Sequence, residues 1–209
     1  MSRKARIFLA IFIPIMLICA GFGGFFLWLK WPATWSRGAP VLAFPVENSS
    51  VIHIIQGYGN MPWDNFHNGI DFGCNTSVNI LAPCAVRVTG MKTWMYATDP
   101  DRWQTSVQFT FNWFYTLDIA FESWALNETF AAIQREAIVI KINDIIPQGG
   151  VLGQLLYHGD RCHIHFMIKY KGEPVCPYQY FNEDAKDLFD ILWAINSIGG
   201  TPCNETTII

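Results

Sequence analysis

The sequence predicts a small, mostly antiparallel β domain, preceded by an N-terminal transmembrane helix and followed by a C-terminal amphipathic helix. Three observations predict it. Residues 7–29 read IFLAIFIPIMLICAGFGGFFLWL without a charge; residues 46–181 break into short β-branched and aromatic runs separated by Gly, Pro and Asn; and apolar residues recur at helical spacing only over 123–136 and 183–197. At 209 residues the chain is long enough for one folded unit plus an appendage. Hydrophobic residues make up 51% and charged residues 15%, against a usual charged share of about 25%, which argues against disorder and for membrane contact. All seventeen acidic residues lie after residue 30, with only ten of the fourteen Lys and Arg. That balance has the wrong sign for holding nucleic-acid phosphates.

The 23 uncharged residues, at about 1.5 Å rise each, span a hydrocarbon layer of about 30 Å. Arg3, Lys4 and Arg6 precede them, and Trp28, Trp31 and Trp35 cluster where an outer aromatic belt would sit. The expected topology is single-pass, with residues 1–30 as cytoplasmic tip and anchor and the remainder extracellular or periplasmic. The alternative, a cleaved signal peptide, has a shorter apolar region of about 7–15 residues, and Ile18 before Cys19 does not suit a lipoprotein cleavage site.

Residues 31–45 read as a stalk, 46–181 as the β domain and 182–209 as a C-terminal helix and tail. Strands are expected in VIHII, GIDFG, AVRVTGM, SVQFTFN, FYTLDIAF, AIVIKI and HIHFMIKY. Asn112-Trp113, Lys171-Gly172 and Pro147–Gly150 supply turns between them. The first helix places Trp124, Phe130 and Ile133 at helical spacing; the second places Ala185, Leu188, Leu192 and Ile195 on one face, with Asn182 as N-cap and Gly199-Gly200 as stop. Five of the six cysteines fall in the outer part, as in an oxidising compartment. Proximity in sequence pairs Cys74 with Cys84 and Cys162 with Cys176 and leaves Cys203 over; some of these are alternatively buried thiols. Sequons at Asn48, Asn75, Asn127 and Asn204 are glycan acceptors if the host glycosylates this compartment.

Chemistry concentrates in two histidine motifs, His67-Asn-Gly-Ile-Asp71 and His163-Ile-His165. Asn68-Gly69 argues against a helix, so a bend at Gly69 leads into a strand and brings His67 back towards Asp71. His-x-His on a strand places both imidazoles on one face, about 6–7 Å apart. Imidazole nitrogens and a carboxylate suit zinc, and three such ligands leave a fourth position open, as in a metal-assisted hydrolase. Taken singly, each motif has an ordinary counterpart, a surface turn or an edge-strand pair.

Their order and surroundings carry a resemblance. The stretch GYGNMPWDNFHNGIDFGCNTSVNILAPCAVRVTGM, then AIVIKINDIIPQGGVLGQL, then CHIHFMIKYKGEPVCPYQYF, resembles the lysostaphin/LytM-type zinc endopeptidases over about residues 50–181. The resemblance implies a small antiparallel β domain with its site in a groove. It implies that His67, Asp71 and His165 bind zinc, and that His163 moves protons for, or stabilises, the hydrolytic water. In that family the substrate is a peptide cross-link of a cell wall. Several family glycines are missing, and Ala120, in Tyr115-Thr-Leu-Asp-Ile-Ala-Phe121, stands where the family carries a further catalytic histidine. That departure fits a second expectation: a non-catalytic, zinc-binding domain that serves as a scaffold or accessory subunit of a membrane protein complex.

Overall fold

The structure, a computed structural model, describes Met16, Ile18 and residues 33–61, 64–96 and 99–204. Apart from Met16 and Ile18, the expected membrane anchor lies outside the described residues. Among the described residues no helix is long and apolar enough to cross a membrane.

The first strands are β1 (Ile52–Gln56), β2 (Tyr58–Met61), β3 (Asp64–His67), β4 (Ile70–Cys74) and β5 (Val78–Leu81). Three long strands follow, β6 (Val86–Tyr96), β7 (Asp99–Thr110) and β8 (Tyr115–Ala125), and then helix α1 (Glu128–Glu136). The remainder comprises β9 (Ile145–Ile146), β10 (Val151–Leu155), β11 (His163–Tyr170), β12 (Glu173–Val175), helix α2 (Glu183–Asn196) and β13 (Cys203–Asn204). One sheet carries β1, β4, β11, β8, β7, β6 and β9 in that spatial order, with β12 beside β11. All its pairings are antiparallel.

Alternation along the central strands divides core from groove. On β11, Ile164, Phe166 and Ile168 are fully buried while His163, His165 and Met167 face the other way. On β4, Ile70 and Phe72 are buried and Asp71 points opposite. Each large side chain so buried contributes about 1.5–3 kcal/mol. Phe189 of α2 closes this core edge-on against Phe72, at 6.0 Å between ring centroids.

The turns form as their residues dictate. Asn112 Oδ1 accepts from the backbone N–H groups of Phe114 and Tyr115, closing the β7–β8 hairpin. Lys171 and Gly172 adopt φ of 52° and 95° in the β11–β12 turn, a conformation glycine takes without Cβ strain.

Four expectations are corrected. Residues assigned to the stalk belong partly to the domain: Leu42 is fully buried, and its N–H donates to the Tyr180 carbonyl. The helix expected over 123–136 begins only at Glu128, capped by the Asn127 side chain, because Trp124 still belongs to β8. Its inner face is Ala131 and Gln134 rather than Phe130 and Ile133, since Gln134 bridges the Gln154 carbonyl and the Leu156 N–H. In α2, capped by Asn182 as expected, Ala185, Phe189 and Leu192 are buried and Ile195 is exposed. AIVIKI forms no strand; Ile138 makes only an isolated bridge to Gly153.

The cysteine pairing also differs. Cys176 bonds to Cys203 across 27 residues, bracketing α2, while Cys74, Cys84 and Cys162 are buried thiols. Cys74 donates its N–H to the carbonyl of Cys162, which lies just before β11 and far away in sequence, so nearness along the chain misleads. Burial pushes all three thiols up to about 12. At pH 8 they are therefore protonated and poor nucleophiles. Alkylation followed by peptide mass analysis is expected to leave all three unmodified in the native chain and to modify all three after unfolding; native labelling of Cys74 contradicts their burial.

Candidate metal centre

The pairing of β4 with β11 sets Asp71 directly opposite His165. The third group arrives through the turn between β3 and β4. A Cβ on Gly69 would lie 2.6 Å from the Phe166 carbonyl oxygen and 2.8 Å from the His165 ring. Only glycine lets the turn lie this close, and the close approach brings His67 onto His165, with ring centroids 4.9 Å apart.

Three donor atoms converge. His67 Nε2 lies 3.2 Å from His165 Nδ1 and 3.2 Å from Asp71 Oδ1, and His165 Nδ1 lies 2.7 Å from Asp71 Oδ1. Tetrahedral zinc with bonds of about 2.0–2.1 Å separates its ligand atoms by about 3.3 Å, so the set is close to what the ion requires. Both imidazoles have an oxygen acceptor on their outer side. His67 Nδ1 donates to the Gly57 carbonyl at 2.6 Å, and His165 Nε2 donates to Asn68 Oδ1 at 2.9 Å. A ring nitrogen that carries a proton on its outer side presents a lone pair on its inner side, which is what a metal takes. Burial alone would raise the Asp71 carboxyl, but His163 and His165 beside it, with the close contacts to His165 and His67, hold it well below the usual carboxylate range.

His163 stands next to this cluster, not in it. Its Nδ1 donates to the Arg161 carbonyl at 2.7 Å. Its Nε2 faces two carboxylates, Glu122 Oε2 at 3.4 Å and Asp71 Oδ2 at 3.7 Å. A cavity of about 690 Å³ opens over all four residues and is lined further by Arg102 and Glu122. Ala120, paired with His165 in register, presents only a methyl group there. Neither remaining histidine takes the missing place: His158 lies against Phe130 at 4.9 Å between ring centroids, His53 is exposed on β1, and neither lines the cavity.

Sequence reasoning missed Asn68, Glu122, Arg102 and Trp124. Glu122 had a signal, because it is two residues beyond Ala120 on one strand and must share its face. Arg102 had none, since only the β7–β8 pairing brings it near.

No protein-family model and no curated protein matches the sequence. Solved structures do resemble it. The Csd3 protein of Helicobacter pylori is 19% identical, with 72% of this chain and 39% of that one covered and a TM-score of 0.47. A zinc-containing peptidase from Vibrio cholerae is 16% identical, with 66% and 39% covered and a TM-score of 0.47. Lysostaphin in solution is 15% identical, with 73% and 55% covered and a TM-score of 0.41. The chain thus spans about half or less of the length of these proteins.

Proposed function

We propose that the chain is a membrane-anchored, outward-facing zinc metallopeptidase that hydrolyses peptide bonds of the cell-wall cross-link type. The observation that carries this reading is the convergence of His67 Nε2, Asp71 Oδ1 and His165 Nδ1, all lying within 4.8 Å of one another, at the floor of an open groove. Zinc bound by His67, Asp71 and His165 would supply a Lewis acid and lower the pKa of a bound water towards neutral pH. Three protein ligands would leave a fourth position for water or substrate. His163, with Nδ1 committed to the Arg161 carbonyl, takes up or delivers a proton at Nε2. The acidic balance of the part beyond residue 30 opposes attraction to an anionic wall polymer, so the substrate is recognised within the groove. The uncharged segment 7–29 keeps the domain at the membrane surface.

The test is hydrolysis of glycine-rich peptides and wall-derived cross-linked peptides by the zinc-loaded chain. Cleavage that stops with a chelator and returns with zinc is expected; a zinc-loaded chain that cleaves neither refutes the peptidase reading. Ala120 favours a second reading, in which the domain keeps zinc without turnover and serves as a scaffold or accessory subunit among membrane proteins.

A further inference from the structure

We propose that Arg102, held by Glu122 and Trp124, is the second hydrogen-bond donor of this groove and takes over the place that Ala120 leaves empty. The proposal rests on the peptidase reading above.

Alternation along β8 turns Ala120 and Glu122 to the groove, opposite His165 and His163 respectively. Ala120 offers no polar atom. Glu122, two residues on, is 97% shielded from solvent (3% exposed), and its Oε2 contacts both His163 Nε2 and Arg102 Nη2. A carboxylate buried this deeply is tolerated only when charged donors meet it. One oxygen atom therefore joins the imidazole beside the metal centre to a guanidinium brought in from the neighbouring strand β7.

Trp124 fixes the other side of that guanidinium, whose carbon lies 4.3 Å from the ring centroid. Trp124 has φ of 61°, the left-handed region, which a bulky aromatic residue enters at a cost of about 1–3 kcal/mol. Such strain persists where surrounding structure imposes it and clusters at ligand-clamping sites. Here the indole that packs on Arg102 also lies 6.5 Å, centroid to centroid, from the His163 ring and carries the Arg161 guanidinium at 5.4 Å. Arg102, Glu122, Trp124 and His163 line the same cavity as the metal ligands.

A guanidinium carries five N–H donors in a planar fork, so it can engage Glu122 on one edge and an oxyanion on another. Arg102 is then the residue that meets the negative oxygen developing on the scissile carbonyl. Glu122 acts through Arg102 and His163 and is a positioning residue.

Inorganic phosphate, a tetrahedral anion, serves as the probe on the metal-loaded full chain, with cobalt in place of zinc to report binding at the metal by its visible spectrum. Arg102→Gln would leave Glu122 buried without this partner, so R102Q/E122Q is measured beside it and metal stoichiometry is checked in both. The expected result is full metal uptake, phosphate affinity lowered about 10–100-fold, and kcat lowered about 10²–10³-fold with KM little changed. Arg102→Lys is expected to restore part of both. Wild-type phosphate affinity and kcat in a folded, metal-loaded R102Q/E122Q overturn the proposal, as does a metal-loaded wild type that binds no phosphate. If the wild type takes up metal but cleaves no peptide, the peptidase reading fails alone and the phosphate series still decides the role of Arg102. If it takes up no metal, both fall together.

Discussion

Asp71→Ala and His165→Ala are expected to strip the chain of zinc. Each variant removes one of three donors that meet at a single point, and two remaining ligands cannot hold the ion against water. Losing only a second-sphere partner typically costs about 10–100-fold in metal affinity, so losing a ligand costs at least that. Removing Asp71 has a further consequence. Two imidazole nitrogens then face each other at 3.2 Å without the carboxylate between them. Because the Asp71 carboxyl is held below its ordinary value, its ionised form favours the native fold. That contribution is complete above the unfolded value of about 3.9 and is lost as pH falls through the lower folded value. Elemental analysis after dialysis checks the metal, and both variants should retain the β signature by circular dichroism. Full zinc occupancy in either variant would remove that residue from the site.

His163→Ala is expected to keep zinc and lose turnover. His163 is not among the convergent donors; its Nε2 is 3.7 Å from Asp71 Oδ2 and lies towards the groove. A positioned acid–base group contributes about 10²–10⁴-fold to rate, and kcat should fall by that order while metal stoichiometry stays at the wild-type value. A variant that loses zinc instead would make His163 a ligand. One that keeps both zinc and rate would leave the proton transfer to another group. The contrast with Asp71→Ala separates holding the ion from using it.

Much of this arrangement is visible in short-range patterns. The alternation in HIHFMIKY places His163 and His165 on one face, and Asn68-Gly69 marks the bend that returns His67 towards Asp71. The same patterns carry the turns at Asn112 and Lys171-Gly172 and the cap at Asn182. What they do not carry is pairing between distant segments. That Asp71 meets His165 depends on β4 lying beside β11, 94 residues away along the chain. Arg102 reaches Glu122 only because β7 pairs with β8. The disulfide is missed for the same reason, since Cys176 and Cys203 are brought together by the chain folding around α2. The helix face around Gln134 is missed for a different one: two backbone hydrogen bonds outweigh the apolar spacing of Phe130 and Ile133.

The central claim is that His67, Asp71 and His165 form one zinc site. The most direct measurement is the metal content of the purified full-length chain, compared with that of a variant in which all three residues are alanine. One zinc per chain in the wild type and none in the variant is the predicted result. A wild-type chain that takes up no zinc at neutral pH, or a variant that still does, contradicts it.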